Sequence, residues 1–226
     1  TALALSMLMV LSLAACGAKP SDGGKDEDKD GYTVAIIKQM DHASLDEIAD
    51  AIAARLDAIA QEQNVSIRYT ITSGQGAQSV LKQLADQAVA DQVDAIIPIA
   101  TTAAQIAALS AEETKTPVVY AAISDPETAK LTGIDYVTGT SDALNTDSIM
   151  NMIFAANPNV QTVGLLYSNS EPNSTTPIAN AKAYLDSKGI KYVEKTGNTA
   201  DEVLSAANAL AAAKVDAVFT PTDNTI

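Results

Sequence analysis

Two short strings recur in the same order in the two halves of this 226-residue chain. Thr33-Val34-Ala35-Ile36-Ile37 is echoed by Thr162-Val163-Gly164-Leu165-Leu166, and Val93-Asp94-Ala95-Ile96-Ile97 by Val215-Asp216-Ala217-Val218-Phe219. Between the members of each pair the order is the same: strand, helix, second strand, second helix, then the Val-Asp-Ala strand. Strands that alternate with helical stretches define βαβ units on a parallel sheet. A repeat of such units predicts two similar α/β lobes.

The hydrophobic pattern carries this reading residue by residue. Tyr32 to Ile37 is a continuous apolar run, as in a strand covered on both faces. Leu45, Ile48, Ile52, Leu56 and Ile59 then recur at helical spacing. Val65 to Thr72 reads as a strand, Val80, Leu84 and Ala88 mark a helix, and Val93 to Ile99 is a third strand. A helix over Ala103 to Glu113 and a strand over Pro117 to Ala121 follow. In the second half, helices are expected at Asp142 to Ala156, Pro177 to Lys188 and Thr199 to Ala213, with Ile190 to Lys195 as the strand between the last two. Gly133 and Gly139 punctuate the join, which places an N-terminal lobe over 32–138 and a second lobe over 139–226. By analogy with the first lobe a helix would follow Thr220 to Ile226, so the second lobe is expected to be incomplete.

Before Tyr32 the pattern is different. An apolar run, Leu3 to Leu13, leads into Leu13-Ala14-Ala15-Cys16-Gly17. It is too short to span a membrane and has the length of a signal-peptide apolar region. The string resembles a bacterial lipoprotein signal, which implies lipidation of Cys16 and an extracytoplasmic protein anchored to the cell membrane. Residues 1–16 are then a signal peptide, expected to be partial because neither Met nor a basic stretch precedes the apolar run. Residues 17–31, rich in Gly, Ser, Lys and Asp, form a flexible linker.

Several function classes are disfavoured by composition. A net charge of −14 argues against nucleic acid as a partner. One cysteine and one histidine leave no internal disulfide and no ordinary zinc cluster, so neither metal nor cofactor is expected. Gly74-Gln75-Gly76 lacks the third glycine of a dinucleotide loop. His42, with Asp41, Ser44 and Asp46, sits where a helix begins, and Ser44 and Asp46 read as caps and dipole partners rather than catalytic groups.

Ligands of open parallel sheets bind outside the carboxyl ends of the strands. Those loops are Gln39 to His42, Ser73 to Gln75, Ala100 to Thr102 and Ser124 to Pro126 in the first lobe and Ser141-Asp142, Ser168 to Ser174 and Thr222 to Asn224 in the second, and their candidate ligand-binding residues are Thr101, Thr102, Ser124, Asp125, Asp142, Asn169, Ser170, Glu171, Asn173, Ser174, Asp223 and Asn224. Thr101 and Thr102 open a helix whose free N–H groups favour an anion; plain helix capping is the reading these two residues favour by themselves. Asp125, Asp142 and Asp223 can receive an ammonium, or act as turn and cap aspartates. No nucleophile, base and orienter set is visible, so no enzyme activity is expected.

The segments Gln39-Met40-Asp41-His42-Ala43-Ser44-Leu45-Asp46, Ile99 to Gln105, Ala122 to Pro126, Gly139 to Asp142, Tyr167 to Ser174 and Thr220 to Thr225, in this order, resemble the substrate-binding lipoproteins of ABC importers. The closest group includes the tryptophan- and tyrosine-type binding proteins. The resemblance implies a type I periplasmic-binding fold, two Rossmann-like lobes that close over a small molecule. It implies as partners an amino acid, aromatic by family, and an ABC permease with its ATPase. On this basis Thr101 and Thr102 would hold the ligand carboxylate, and Asp223, with Asp142 or Asp125, its ammonium. Asn169, Glu171, Asn173 and Ser174 would close from the other lobe. A lipid-anchored sensor, a binding protein for a sugar or nucleoside, and an extracellular enzyme are the alternatives.

Overall fold

A computed structural model describes residues 31–226; Cys16, the signal and residues 17–30 of the linker lie outside them. The described chain runs β1 Gly31–Lys38, α1 Ala43–Gln63, β2 Ser66–Ser73, α2 Gln78–Ala90, β3 Ala95–Ile99, α3 Thr101–Ser110, β4 Val118–Ile123, β5 Val137–Ser141, α4 Thr146–Ala156 and β6 Thr162–Tyr167. It continues through a 3-10 turn at Pro172–Ser174, α5 Thr175–Lys188, β7 Lys191–Thr196, α6 Ala200–Ala212 and β8 Ala217–Phe219. No helix among the described residues is long and apolar enough to cross a membrane.

Every strand pair among the described residues is parallel, in two sheets ordered β2-β1-β3-β4-β5 and β7-β6-β8. In each, the first strand of the repeat is flanked by the second on one side and the third on the other. The repeated strings therefore occupy equivalent places. β1 also does what its continuous apolar run requires: Ala35 and Ile37 enter the core with Leu81 of α2 and Ala103 of α3, while Val34 and Ile36 pack with Leu45 and Ala49 of α1. Alternate residues of a strand point to opposite faces, so covering both faces demands apolar residues at every position. β6 repeats the arrangement, with Val163 and Leu165 against Ile178 and Leu185 of α5, and Leu166 against Ala206 and Leu210 of α6.

The echoed aspartates have a structural cause. Asp94 Oδ2 accepts from Thr33 N at 2.7 Å and Thr33 Oγ1 at 3.0 Å, while its own N–H donates to Thr33 O at 2.8 Å. Asp216 Oδ2 accepts from Gln161 N and Thr162 N, both at 2.9 Å, and its N–H donates to Thr162 O at 2.8 Å. In both lobes one carboxylate staples the start of the third strand to the start of the first. These backbone donors hold the Asp216 carboxyl below its usual range.

The first sheet reaches further than the sequence pattern suggests. β5 pairs with β4 and carries lobe one through Ser141, so the expected division at 138/139 falls inside this strand. The α4 helix begins at Thr146, with Asn145 Oδ1 accepting from Ser148 N, rather than at Asp142. The α1 helix is capped by His42, whose Nδ1 accepts from Ser44 N at 3.3 Å, rather than by Ser44.

Candidate functional site

The carboxyl ends of both sheets face each other across a cleft, and the loops there set its walls. Lobe one contributes the turn after β1, the start of α3 and the loop after β4. Lobe two contributes the loop from Ser168 to Ser174 after β6, the turn after β7 and the segment after β8.

The start of α3 is unusual. Ala100 precedes it with φ 76° and ψ 163°, a backbone conformation that a residue with a Cβ rarely adopts, and it supplies no side-chain cap. Gln39 takes over part of the capping: its Oε1 accepts the Thr102 N–H at 3.0 Å. Thr101 is buried, and its Oγ1 has no hydrogen-bond partner. Opposite, on the 3-10 turn of lobe two, Asn173 Oδ1 is also buried without a partner, while its Nδ2 donates to Thr222 O. A buried polar atom left unpaired costs about 1–3 kcal/mol; Thr146 Oγ1, outside the cleft, is unpaired in the same way, and of the three only Asn173 lines a cleft cavity, so its Oδ1 marks a position where a ligand group can bond.

Two cavities occupy the cleft. The first, about 220 Å³, is lined by His42, Ser44, Leu45, Ile48, Ala100, Ala122, Ser124, Asp142, Asn173, Pro221, Thr222, Asp223, Asn224 and Ile226. The second, about 340 Å³, is lined among others by Gln39, Gln78, Thr102, Ser170, Glu171, Asn198, Thr199 and Asn224. Asn224 borders both. Neither lining contains Lys or Arg. No group of metal-ligating side chains is found among the described residues.

The polar residues expected at the site have separate fates. Ser124, Asp142, Asn173, Asp223 and Asn224 line the first cavity; Thr102, Ser170, Glu171 and Asn224 line the second. Ser124 Oγ donates to Asp142 Oδ1 at 3.0 Å. Asp223 is an organising group: Oδ2 accepts from Ser168 N and Ser174 Oγ, both at 2.7 Å, and Oδ1 from Thr225 N at 2.9 Å. Ser174 therefore serves the frame behind the cavity. Asp125 bonds across the lobes instead of facing either cavity: its Oδ2 accepts from Thr176 Oγ1 at 2.7 Å and from Thr128 Oγ1 at 2.7 Å. The Thr128 N–H, followed by the two threonine hydroxyls, holds the Asp125 carboxyl below its usual range. Asn169 is exposed and turns away, its Nδ2 donating to Thr196 Oγ1 at 3.3 Å.

Asn198 was not among the candidates, and Gln39 lay in a candidate loop without being given a role. Asn198 Oδ1 gathers Ser168 Oγ at 2.9 Å and Asn169 N at 3.1 Å, which shapes the polar loop. Gln39 had one usable signal, its place immediately beyond β1 at the carboxyl edge of the sheet. His42 lines the first cavity but spends Nδ1 on the α1 cap.

Comparison with known proteins gives this arrangement its class. Residues 33–226 match the family of ABC transporter substrate binding proteins. The chain belongs to that family. It is 27% identical over 229 residues to a tyrosine-binding protein of Clostridioides difficile, covering 99% of this chain and 66% of that one. The chain thus spans just under two thirds of that relative's length. Among solved structures, an ABC domain in complex with L-Trp from Streptococcus pneumoniae is 33% identical, with a TM-score of 0.77 over 87% of this chain and 67% of that one. A ligand-free, open substrate binding protein from Clostridium difficile, 27% identical over 86% of this chain and 66% of that one, gives a TM-score of 0.61.

Proposed function

We propose that the protein is the extracytoplasmic substrate-binding component of an ABC importer, that it takes an amino acid with an aromatic side chain between its lobes, and that it delivers the ligand to a permease and its ATPase. The observation that carries this reading is Asn173 Oδ1, a buried acceptor without a partner in a cavity that holds two carboxylates and no Lys or Arg. Such an atom calls for a donor, and an ammonium answers both the geometry and the charge. Across the cleft the start of α3, which has no side-chain cap from Ala100 and only the Thr102 N–H bonded by Gln39, suits a carboxylate. A zwitterion meets both ends.

Within this reading the backbone at the start of α3 takes the carboxylate beside Ala100 and Thr102, which line the two cavities, and Gln39 already occupies the Thr102 N–H; the Thr101 side chain lines neither cavity. Asn173 and Asp142 take the ammonium. Asp223 already accepts three hydrogen bonds, so it adds charge and orders the loop. Leu45, Ile48, Pro221 and Ile226 give the cavity its apolar surface. The tyrosine-binding and L-Trp-bound relatives support an aromatic side chain for the ligand. Cys16 holds the protein to the membrane through a lipid.

A thermal-shift panel tests this. L-Tryptophan or L-tyrosine at one hundred times its dissociation constant stabilises by about 2.7 kcal/mol. For a chain of this size the melting temperature then rises by about 5–10 °C. A shift with a sugar or nucleoside and none with any amino acid overturns the zwitterion reading. In the same preparation Cys16→Ser is expected to bind normally and to leave the membrane fraction; retention there overturns the anchor.

A further inference from the structure

A buried carboxylate with no cation beside it joins the two lobes. Glu171 is 7% exposed. Its Oε1 accepts from Gln39 Nε2 of lobe one at 2.9 Å, and its Oε2 from Asn224 Nδ2 of its own lobe at 2.9 Å. Gln39 is fixed in turn by the Thr102 N–H on its Oε1. One chain of hydrogen bonds therefore runs from the ligand-receiving end of α3, across the cleft, to the segment after β8, with Asn224, which borders both cavities, at its lobe-two end.

We propose that Glu171 is a positioning latch that couples the start of α3 to lobe closure, and that acid tightens it. This rests on the ligand reading above only for the choice of probe.

The argument is one of burial. A carboxylate taken out of water without a counter-charge is disfavoured. Burial is the main cause that pushes the Glu171 carboxyl above its usual range, and the nearby Asp223 charge adds to it; the amide donors of Asn224 and Gln39 oppose. Asp142 and His42 line the neighbouring cavity, and neither cavity wall carries Lys or Arg. Parting the lobes separates Glu171 from Gln39 and hydrates it, which returns it toward the ordinary glutamate value of about 4.3. The closed form then holds the proton more tightly than the open form. The sign follows: above the raised value the ionised group opposes closure in full. As pH falls from the raised value toward the ordinary one, that opposition is relieved.

The geometry also places the proton. A protonated carboxyl needs an acceptor for its O–H. Asn224 supplies one by turning its amide, whereas Gln39 does so only by surrendering the Thr102 N–H. The proton therefore sits on Oε2.

The test uses the full chain and two readouts. Affinities for L-tryptophan and L-tyrosine are measured by calorimetry from about pH 8 down to about pH 5 in the wild type, Glu171→Gln and His42→Gln. The wild-type dissociation constant is expected to fall by about three- to ten-fold per pH unit inside the window. Glu171→Gln, which mimics the protonated acid, is expected to bind at neutral pH as the wild type does in acid, with no slope. His42→Gln is expected to keep the slope. Small-angle scattering without ligand reads closure directly: the wild type contracts as pH falls, and Glu171→Gln is compact throughout. A slope that survives in Glu171→Gln, or that vanishes only in His42→Gln, overturns the latch. If neither amino acid binds at any pH, the ligand reading fails and scattering decides the latch alone. A wild-type profile that ignores pH then overturns it.

Discussion

Asp223→Ala is expected to weaken amino-acid binding about 100-fold, a loss of about 2.7 kcal/mol, while also lowering the stability of the second lobe. The carboxylate is the common acceptor of Ser168 N, Ser174 Oγ and Thr225 N. Ser168 and Ser174 are each 1% exposed, so water cannot replace what the substitution removes. Buried donors left unpaired cost about 1–3 kcal/mol each. A net loss of about 2–4 kcal/mol lowers the melting temperature by roughly 4–16 °C. The loop from Ser168 to Ser174 would then no longer present Asn173 to the first cavity, and the proposed ammonium acceptor would be lost with it. Asp223→Asn keeps one acceptor oxygen and should fall between the two. Calorimetric titration and a melting curve on the same samples read both effects; unchanged values for Asp223→Ala would remove Asp223 from the site's frame.

Gly139→Ala is expected to destabilise lobe one by about 3 kcal/mol, near the upper end of overpacking costs. Gly139 pairs with Tyr120 across β4 and β5, and a Cβ there would stand 2.1 Å from Tyr120 O and 2.4 Å from Tyr120 Cδ2. The first of these is backbone of the paired strand β4, so relief requires β5 to part from it. Because β5 leads directly into the cleft residue Asp142, binding should weaken as well. Gly133 offers the matched control. It has φ +73°, and a Cβ at this position would meet nothing within 4 Å, so Gly133→Ala costs only the left-handed conformation, about 1–2 kcal/mol. Equal melting temperatures for Gly139→Ala and the wild type would show that the close approach is not a feature of the folded protein.

The repeat was readable because burial on two faces writes itself into consecutive residues. β1 and β6 are continuous apolar runs, and each is sandwiched by helices. β5 escaped notice for the opposite reason. Val137-Thr138-Gly139-Thr140-Ser141 lies at the sheet edge and is mostly exposed, so nothing forces an apolar pattern on it. The starts of α1 and α4 shifted because capping depends on which side chain reaches the N–H groups; His42 and Asn145 do so here.

The site was half readable. That its polar residues would cluster at the carboxyl ends of the strands follows from the topology of a parallel sheet. How they divide the work does not. Asp125 and Asp223 look alike in sequence, each in a polar loop. One ties the lobes together through Thr176, and the other holds the frame behind Asn173. Gln39 gave little sign of its importance, because its partner Glu171 lies 132 residues away.

The amino-acid sequence by itself determined two α/β lobes, the succession of strands and helices along each repeat and the edge at which ligands are met. These follow from apolar periodicity, which each segment carries locally as the imprint of burial. Only the tertiary structure decided which polar atoms are paired and which are left free. Hydrogen-bond partners are chosen by distance in space between residues far apart in the chain. Asn173 stands out as an unpartnered acceptor in a cleft cavity, and Glu171 as a buried bridge, only once the two lobes face each other.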